Sequence, residues 1–307
     1  MKRYNSFGEY FRKKYGVRMQ KLVIDAGFTC PNRDGTLGTG GCSFCDNAAF
    51  HPAYGSPSKS VTEQIEDGIS FHRSRGRDVS HCLAYFQSFS NTYAPLPRLR
   101  ALYGEALSHP AVCGIVVGTR PDCVDEEKLD FIASLGEGGK AVMIEYGIES
   151  CRDETLGRVG RGHDFACAAR AVRMTADRGI ATGAHFILGL PGESRDMLVE
   201  SCAAINSLPL TSVKFHQLQL LRGTAMAAEY AAHPEDFYAP GLDEYVDLLA
   251  DMLERLRPDL YIDRIAASVP PRFVEVRRWG LVDTSRIAML LDRRLEARNT
   301  FQGAKFY

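Results

Sequence analysis

The sequence predicts an α/β fold: a partial (β/α)6 TIM-type barrel of parallel strands with a helical C-terminal extension. Three observations carry that expectation. Six short runs are apolar on nearly every residue, as parallel strands buried on both faces are. Amphipathic segments with recognisable helix starts alternate with them. Each run is followed by a polar or glycine-rich segment, at the carboxyl edge where chemistry gathers in barrels and open parallel sheets alike. An open doubly wound sheet meets the same observations and remains an alternative at this point.

The predicted strands are 21–26, 82–87, 112–118, 141–147, 181–188 and 213–220. Thr62 precedes a helix to about Arg73, and Pro95 opens another to about Ser108. Asp125 caps 126–135, Asp164 starts a helix that Gly179 stops, and Ser194 caps one reaching Ser207 before Pro209. Beyond the strands, 242–256 and 284–298 read as amphipathic helices. The stretch 222–241, broken by Pro234, Pro240 and Gly241, reads as a loop covering the barrel mouth. No internal repeat or linker interrupts this order. One domain over 1–307 is expected, with a barrel core of about 20–222 and an extension of about 223–307.

A hydrophobic content of 45% and a charged content of 24% are ordinary for a globular chain of 307 residues. No apolar run approaches the roughly 18 residues a membrane helix needs, so no membrane span is expected. Residues 1–16 are polar and basic, with no export signal, and the nine cysteines are odd in number. Free thiols in that number point to a reducing, cytoplasmic location. The net charge of −1 gives no global attraction to nucleic acid. Locally, 1–21 holds seven Lys or Arg against Glu9 alone, and 264–305 holds nine against four acids. If these ends meet in space they form a phosphate-binding face; otherwise they are solvated surface.

Cys30, Cys42 and Cys45 share one loop with Gly35, Gly38, Gly40 and Gly41. Three thiolates are one short of a closed tetrahedral metal site, and a three-ligand site that keeps a position open is a reactive one. Glycine lets backbone wrap a cluster and aim N–H groups at its sulfurs. A zinc site with His51 as fourth ligand, in a non-enzymatic interaction protein, uses the same thiolates and stays open. Cys82, Cys113, Cys167 and Cys202 read as core, with no spacing for a second cluster.

The three-cysteine loop resembles that of the radical S-adenosylmethionine (SAM) superfamily, with the first gap widened to residues 31–41. The form C-P-N-R-D-G…G-G-C-x-F-C looks like the YhcC/YtqA family. The likeness continues through R158-V-G-R-G-H-D164, G189-L-P-G-E193 and F301-Q-G-A-K305. More distantly, G147-I-E-S, R161-G-H and H185-F-I-L-G-L-P-G are similar to the radical SAM half of the Elongator catalytic subunit, which modifies wobble uridine.

This resemblance implies that Cys30, Cys42 and Cys45 ligate a four-iron, four-sulfur (4Fe-4S) cluster whose fourth iron SAM chelates. It implies reductive cleavage of SAM to a 5′-deoxyadenosyl radical, with flavodoxin or ferredoxin as electron donor. Phe44 is expected beside the cluster. Gln87, Ser88, Ser90, Asn91 and Thr92 fall where the superfamily carries a Gly-Gly-Glu-like segment for the SAM ammonium, here without an acid. Glu145, a carboxylate in an apolar strand, needs a partner, either the cofactor or a structural Arg, and Glu149 is a similar case. Arg161 is expected on the SAM carboxylate, beside a helix N-terminus. Gly189 and Glu193 fit the glycine-rich segment near SAM. His216 and Leu218 fit the adenine contact, and His185 is either a contact or a satisfied core residue. Cys123 and Cys151, at strand ends, are candidates for returning a hydrogen atom to a product radical, or are small core hydrophobes. The expected substrate is tRNA, at a wobble uridine side chain; a small metabolite or peptide is the alternative.

Overall fold

The structure, a computed structural model, describes residues 2–280 and 282–306. Seven strands pair in chain order, all parallel, and curl into a half-barrel: β1 (Gln20–Ile24), β2 (Cys82–Phe86), β3 (Val112–Thr119), β4 (Ala141–Glu149), β5 (Ala181–Leu188), β6 (Ser212–Gln217) and β7 (Tyr261–Arg264). A sheet in which each crossover returns to the next neighbour winds in one sense, so it curls instead of doubling back. The doubly wound alternative is thereby excluded. The six predicted strands are present, and β7 extends them. Its four residues, half of them charged, are too short and too polar to stand out in the sequence.

The helices are α1 (Phe7–Tyr15), α2 (Val61–Arg73), α3 (Leu96–Ser108), α4 (Glu126–Ser134), α5 (Asp153–Arg158), α6 (Phe165–Ala176), α7 (Arg195–Asn206), α8 (Ala225–Ala232), α9 (Leu242–Arg255) and α10 (Thr284–Ala297). Their starts are capped as the sequence suggests, by Asp125, Asp164 and Ser194, each accepting from the backbone N–H three residues on. On α2 the cap is Ser60, in a capping box with Glu63, so the helix begins ahead of Thr62.

Three parts of the chain depart from the sequence reading. The basic N-terminal stretch contains α1, whose Phe7, Tyr10 and Phe11 pack on Leu83, Ala141, Met143 and Ala181. Those residues lie at or near the amino ends of their strands, so α1 plugs the barrel at the end opposite the cysteine loop. The two basic termini do meet there: Arg3 donates to the Thr300 carbonyl at 3.1 Å, and the Asn5 amide donates to Gln302 at 2.9 Å. Part of the C-terminal charge is already matched, with Arg294 and Arg298 on Asp247, Arg298 also on Asp251, and Lys305 on Glu254.

The third departure is 222–241. It is no lid. Met226 of α8 is fully buried with Val159, Leu190, Leu218 and Phe237, and its amide donates to the Ser43 carbonyl at 2.9 Å. The segment braces the cysteine loop from behind because its apolar residues have that buried surface to cover. Among the described residues, no helix is long and apolar enough to cross a membrane.

Candidate active site

At the carboxyl ends of the strands lies a cavity of about 700 Å3, and Cys30, Cys42 and Cys45 all line it. The loop that carries them is held by its own backbone. The Leu37 and Gly38 amides donate to the Pro31 carbonyl, and Gly41 donates to the Asn32 carbonyl at 2.7 Å. Gly41 has φ +77°, and a Cβ there would meet the Arg33 guanidinium at 2.9 Å. Glycine is required at this one position for both reasons. The Ser43 amide donates to the Val159 carbonyl at 3.0 Å, tying the loop to the 158–164 turn.

Donors crowd the thiols. Asn32 Nδ2 is 3.4 Å and Arg161 Nη1 is 3.5 Å from Cys42 Sγ. Arg33 donates to the Cys45 carbonyl at 2.9 Å, and the three nearby thiols, Cys45 foremost, hold its pKa up. Arg161 also donates to the Gly147 carbonyl and sits 3.7 Å from Glu149. Burial pushes the Glu149 pKa up, against the arginines' opposing pull. Gly147 leaves room for this arrangement: a Cβ would lie 2.5 Å from Glu149 Oε1 and 2.8 Å from Arg161 Nη2.

Deeper in the barrel, Glu145 is almost fully buried and accepts from Lys21 at 2.7 Å, Lys214 at 2.5 Å and His185 at 3.0 Å. Burial alone would raise its pKa, but these partners hold it well below the usual carboxylate range. Asp263 of β7 completes the set, 2.8 Å from Lys21. Two ammonium groups and two carboxylates thus neutralise one another inside a low-dielectric interior, as buried charges must. The structural partner expected for Glu145, an arginine, is replaced by lysines from β1 and β6. Burial and the Lys214 charge take His185 down to about 4, so it is neutral near pH 7. His216 stands 5.5 Å from the His185 ring and is held well below its ordinary pKa, chiefly by burial.

Phe44, Gln87, Glu145, Glu149, Arg161, His185, His216 and Leu218 line the cavity with the three cysteines. Seven expected residues do not. Asn91 is buried, donating to the Ser88 and Gly118 carbonyls, so Ser88, Asn91 and the buried Thr92 shape the loop after β2 from behind. Gly189 has φ +96°, and a Cβ would meet the Tyr238 carbonyl at 2.7 Å, so its glycine serves the brace segment. Glu193 accepts from Ser150 at 2.5 Å in a pocket between β5 and α7, where burial raises its pKa to about 6. Cys151 lines that same outer pocket, and burial pushes its thiol pKa up. Cys123 is buried beside Asp122, its pKa raised to about 12, first by burial. Neither thiol reaches the cavity where hydrogen-atom return would occur.

Other residues on the cavity were not singled out by the sequence. Phe89 lines it with φ +61°, a left-handed conformation unusual for a bulky residue, which turns its ring toward Arg33. Arg120, Arg33, Lys214 and Arg264 line it too, beside Ser90 of the expected segment after β2. A lysine inside an otherwise apolar strand was the available signal for Lys214, matching the one that marked Glu145. His51, the fourth ligand of the zinc reading, lies 3.0 Å from Asp25, whose hydrogen bond raises its pKa. Among the described residues, no three His, Cys, Asp or Glu side chains converge on a point that would hold a single metal ion.

Comparison with known proteins accords with this geometry. Residues 32–205 match the radical SAM superfamily model, and 210–297 match the radical SAM C-terminal domain. The chain therefore belongs to the radical SAM superfamily, whose cofactors are a 4Fe-4S cluster and SAM. Within it, the chain belongs to the YhcC/YtqA family. It is 34% identical over 306 residues to the uncharacterized protein YtqA of Bacillus subtilis, covering all of this chain and 93% of that one. A stretch of 93 residues is 30% identical to the tRNA uridine(34) acetyltransferase of Methanocaldococcus infernus, covering 30% of this chain and 16% of that one. The solved Elp3 structure from the same archaeon shares the fold at TM-score 0.68 and 14% identity, covering 92% of this chain, which spans 64% of that one.

Proposed function

We propose that this radical SAM enzyme acts on tRNA, at the side chain of a wobble uridine. The observation that supports the substrate is the match to a tRNA uridine(34) acetyltransferase within the shared radical SAM segment. In this reading Cys30, Cys42 and Cys45 hold the cluster, and the cavity beside them takes SAM. The wall fits such a guest. Ser90 Oγ, Arg120 Nη1, Arg161 Nε and His216 Nε2 are buried polar atoms without a protein partner, all on cavity-lining residues. A buried donor left unmatched costs about 1–3 kcal/mol, so a ligand with carboxylate, ammonium and ribose groups would relieve these positions.

When bound, cluster and SAM together supply a 5′-deoxyadenosyl radical able to take an unactivated hydrogen. The chain's own work is positional. Arg120 and Arg161 offer fixed guanidinium donors to the carboxylate of SAM. Glu149 and Gln87 offer acceptors to its ammonium. Phe44, Phe89, Ile187 and Leu218 give an apolar wall that excludes water from the reacting volume. The Glu145–Lys21–Lys214–Asp263 set keeps the floor rigid and internally neutral. Chain ends and barrel work as one domain in the cytosol, with flavodoxin or ferredoxin supplying electrons. The test is a comparison of modified nucleosides in tRNA from cells with and without the gene, paired with 5′-deoxyadenosine release on adding tRNA to the reconstituted protein. Identical nucleoside profiles and no response to tRNA would remove the substrate assignment.

A further inference from the structure

We infer that the widened segment between Cys30 and Cys42 is a tuning device: Asn32, together with Arg161, donates to the Cys42 thiolate and raises the reduction potential of the cluster. This rests on the assignment of the three cysteines to that cluster. The extra residues are spent on placing one side chain. The 31–41 lobe folds back so that Asn32 is both its hinge and its buried foot. Its carbonyl receives the Gly41 amide at 2.7 Å, and its amide group reaches across to the 158–164 turn. Asn32 is only 5% exposed. Its Nδ2 spreads two hydrogens over three acceptors, 2.8 Å from the Gly160 carbonyl, 3.1 Å from the Arg161 carbonyl and 3.4 Å from Cys42 Sγ, so the hydrogen toward the sulfur is shared with a carbonyl. Gly162 is shaped around it: a Cβ there would meet Asn32 Oδ1 at 2.8 Å. Two elements far apart in sequence are therefore built to hold an N–H group beside one sulfur.

Arg161 approaches the same sulfur from the turn side, at 3.5 Å, and is buried. Its charge is answered chiefly by Cys42 and then by Glu149. Arg33 adds a third positive or donor group toward Cys45. Reduction adds one negative charge to a cluster and its thiolates. Hydrogen-bond donors and cations at the ligand sulfurs stabilise that more negative state, so they move the potential upward.

The test is an EPR-monitored redox titration of the full chain, anaerobically reconstituted, as wild type, Asn32→Ala, Asn32→Ser and Arg161→Lys. At equal iron and sulfide per chain, each Asn32 variant is expected to show a midpoint shifted to more negative potential, with a shift of the same sign in Arg161→Lys. Unchanged midpoints in both loaded Asn32 variants overturn the inference. A second measurement needs only wild-type protein. Exchanged into D2O, its reduced cluster should show hyperfine coupling to exchangeable deuterons near a ligand sulfur, and absence of that coupling overturns the inference even if no variant loads. A wild-type chain that takes up no cluster would instead overturn the cysteine assignment beneath it, so the two failures are distinguishable.

Discussion

The carboxylate of Glu145 lies 2.5 Å from the ammonium of Lys214, and both side chains are almost fully buried. The pair joins β4 to β6 across β5, and Gly183 of β5 makes room for it. A Cβ at Gly183 would sit 3.1 Å from Glu145 Cγ and 3.2 Å from Ser212 Oγ. Replacing Glu145 by Gln leaves two buried lysines with one carboxylate between them. A loss of about 3–5 kcal/mol in urea unfolding is expected. The double variant Glu145→Leu with Lys214→Met should recover much of it, because an apolar pair removes the unmatched charge as well as the bond.

Acid sensitivity should begin well above the carboxylate range. His185 titrates at about 4 in the fold against an ordinary 6.5. As pH falls below 6.5 the unfolded chain binds a proton that the folded chain refuses. The stability involved is complete above about pH 6.5 and is lost progressively toward pH 4, at up to ~1.4 kcal/mol per pH unit. Glu145 and Asp263, held low by the lysines, act in the same direction only further down. Unfolding free energies of wild type and His185→Phe, measured from pH 7.5 to 4.5, should differ in slope within that window. Parallel curves would contradict it.

Cys42→Ala should abolish iron–sulfur absorbance and 5′-deoxyadenosine formation while the fold persists, since the loop is held by backbone hydrogen bonds that do not involve the thiol. Cys151→Ala should leave both intact and cost about 1 kcal/mol of stability for a small cavity. A radical half-reaction lost in Cys151→Ala would mean that this thiol reaches the cavity after all.

Gly189→Ala separates architecture from cofactor binding. With φ +96° and the Tyr238 carbonyl 2.7 Å from the new methyl, it should destabilise by more than about 1 kcal/mol. SAM affinity of the folded fraction, measured by calorimetry, should stay within about twofold of wild type.

For the tRNA reading the informative charge is at the cavity rim, not on α1. Arg272 is exposed beside Pro271, which lines the cavity. Arg272→Glu should weaken tRNA binding and flatten its dependence on salt. Lys13→Glu and Lys14→Glu, at the plugged end, should change neither.

Strand positions and the cysteine loop were readable because parallel strands buried on both faces are continuous apolar runs and thiols at close spacing are rare. α1 was not, since Phe7, Tyr10 and Phe11 sit in a short basic stretch and become a helix face only when a barrel end exists to receive them. β7 needed β6 beside it to be a strand at all. The role of 222–241 was hidden because a Pro-broken apolar stretch reads the same whether it covers a mouth or buttresses a loop. Glu145 announced itself as a buried acid, but its partners came from 124 residues before and 69 after, and only the curl of the sheet brings them together. Carry-over from the family placed Ser88, Asn91, Gly189 and Glu193 at the cofactor. Here none of the four lines the cavity.

The clasp between residues 3–5 and 300–302 brings into contact two segments that are 297 residues apart in the chain. Backbone near Arg3 receives the Gln302 amide at 2.9 Å, and the Asn5 amide reaches the Gln302 side chain. A short peptide joining these two segments would disturb no wall of the cavity, which neither of them lines. The chain could then be cut open in an exposed turn, such as the one around Gly76, with every strand keeping its neighbours. New ends placed there would carry labels or fused partners on a face remote from the cysteines.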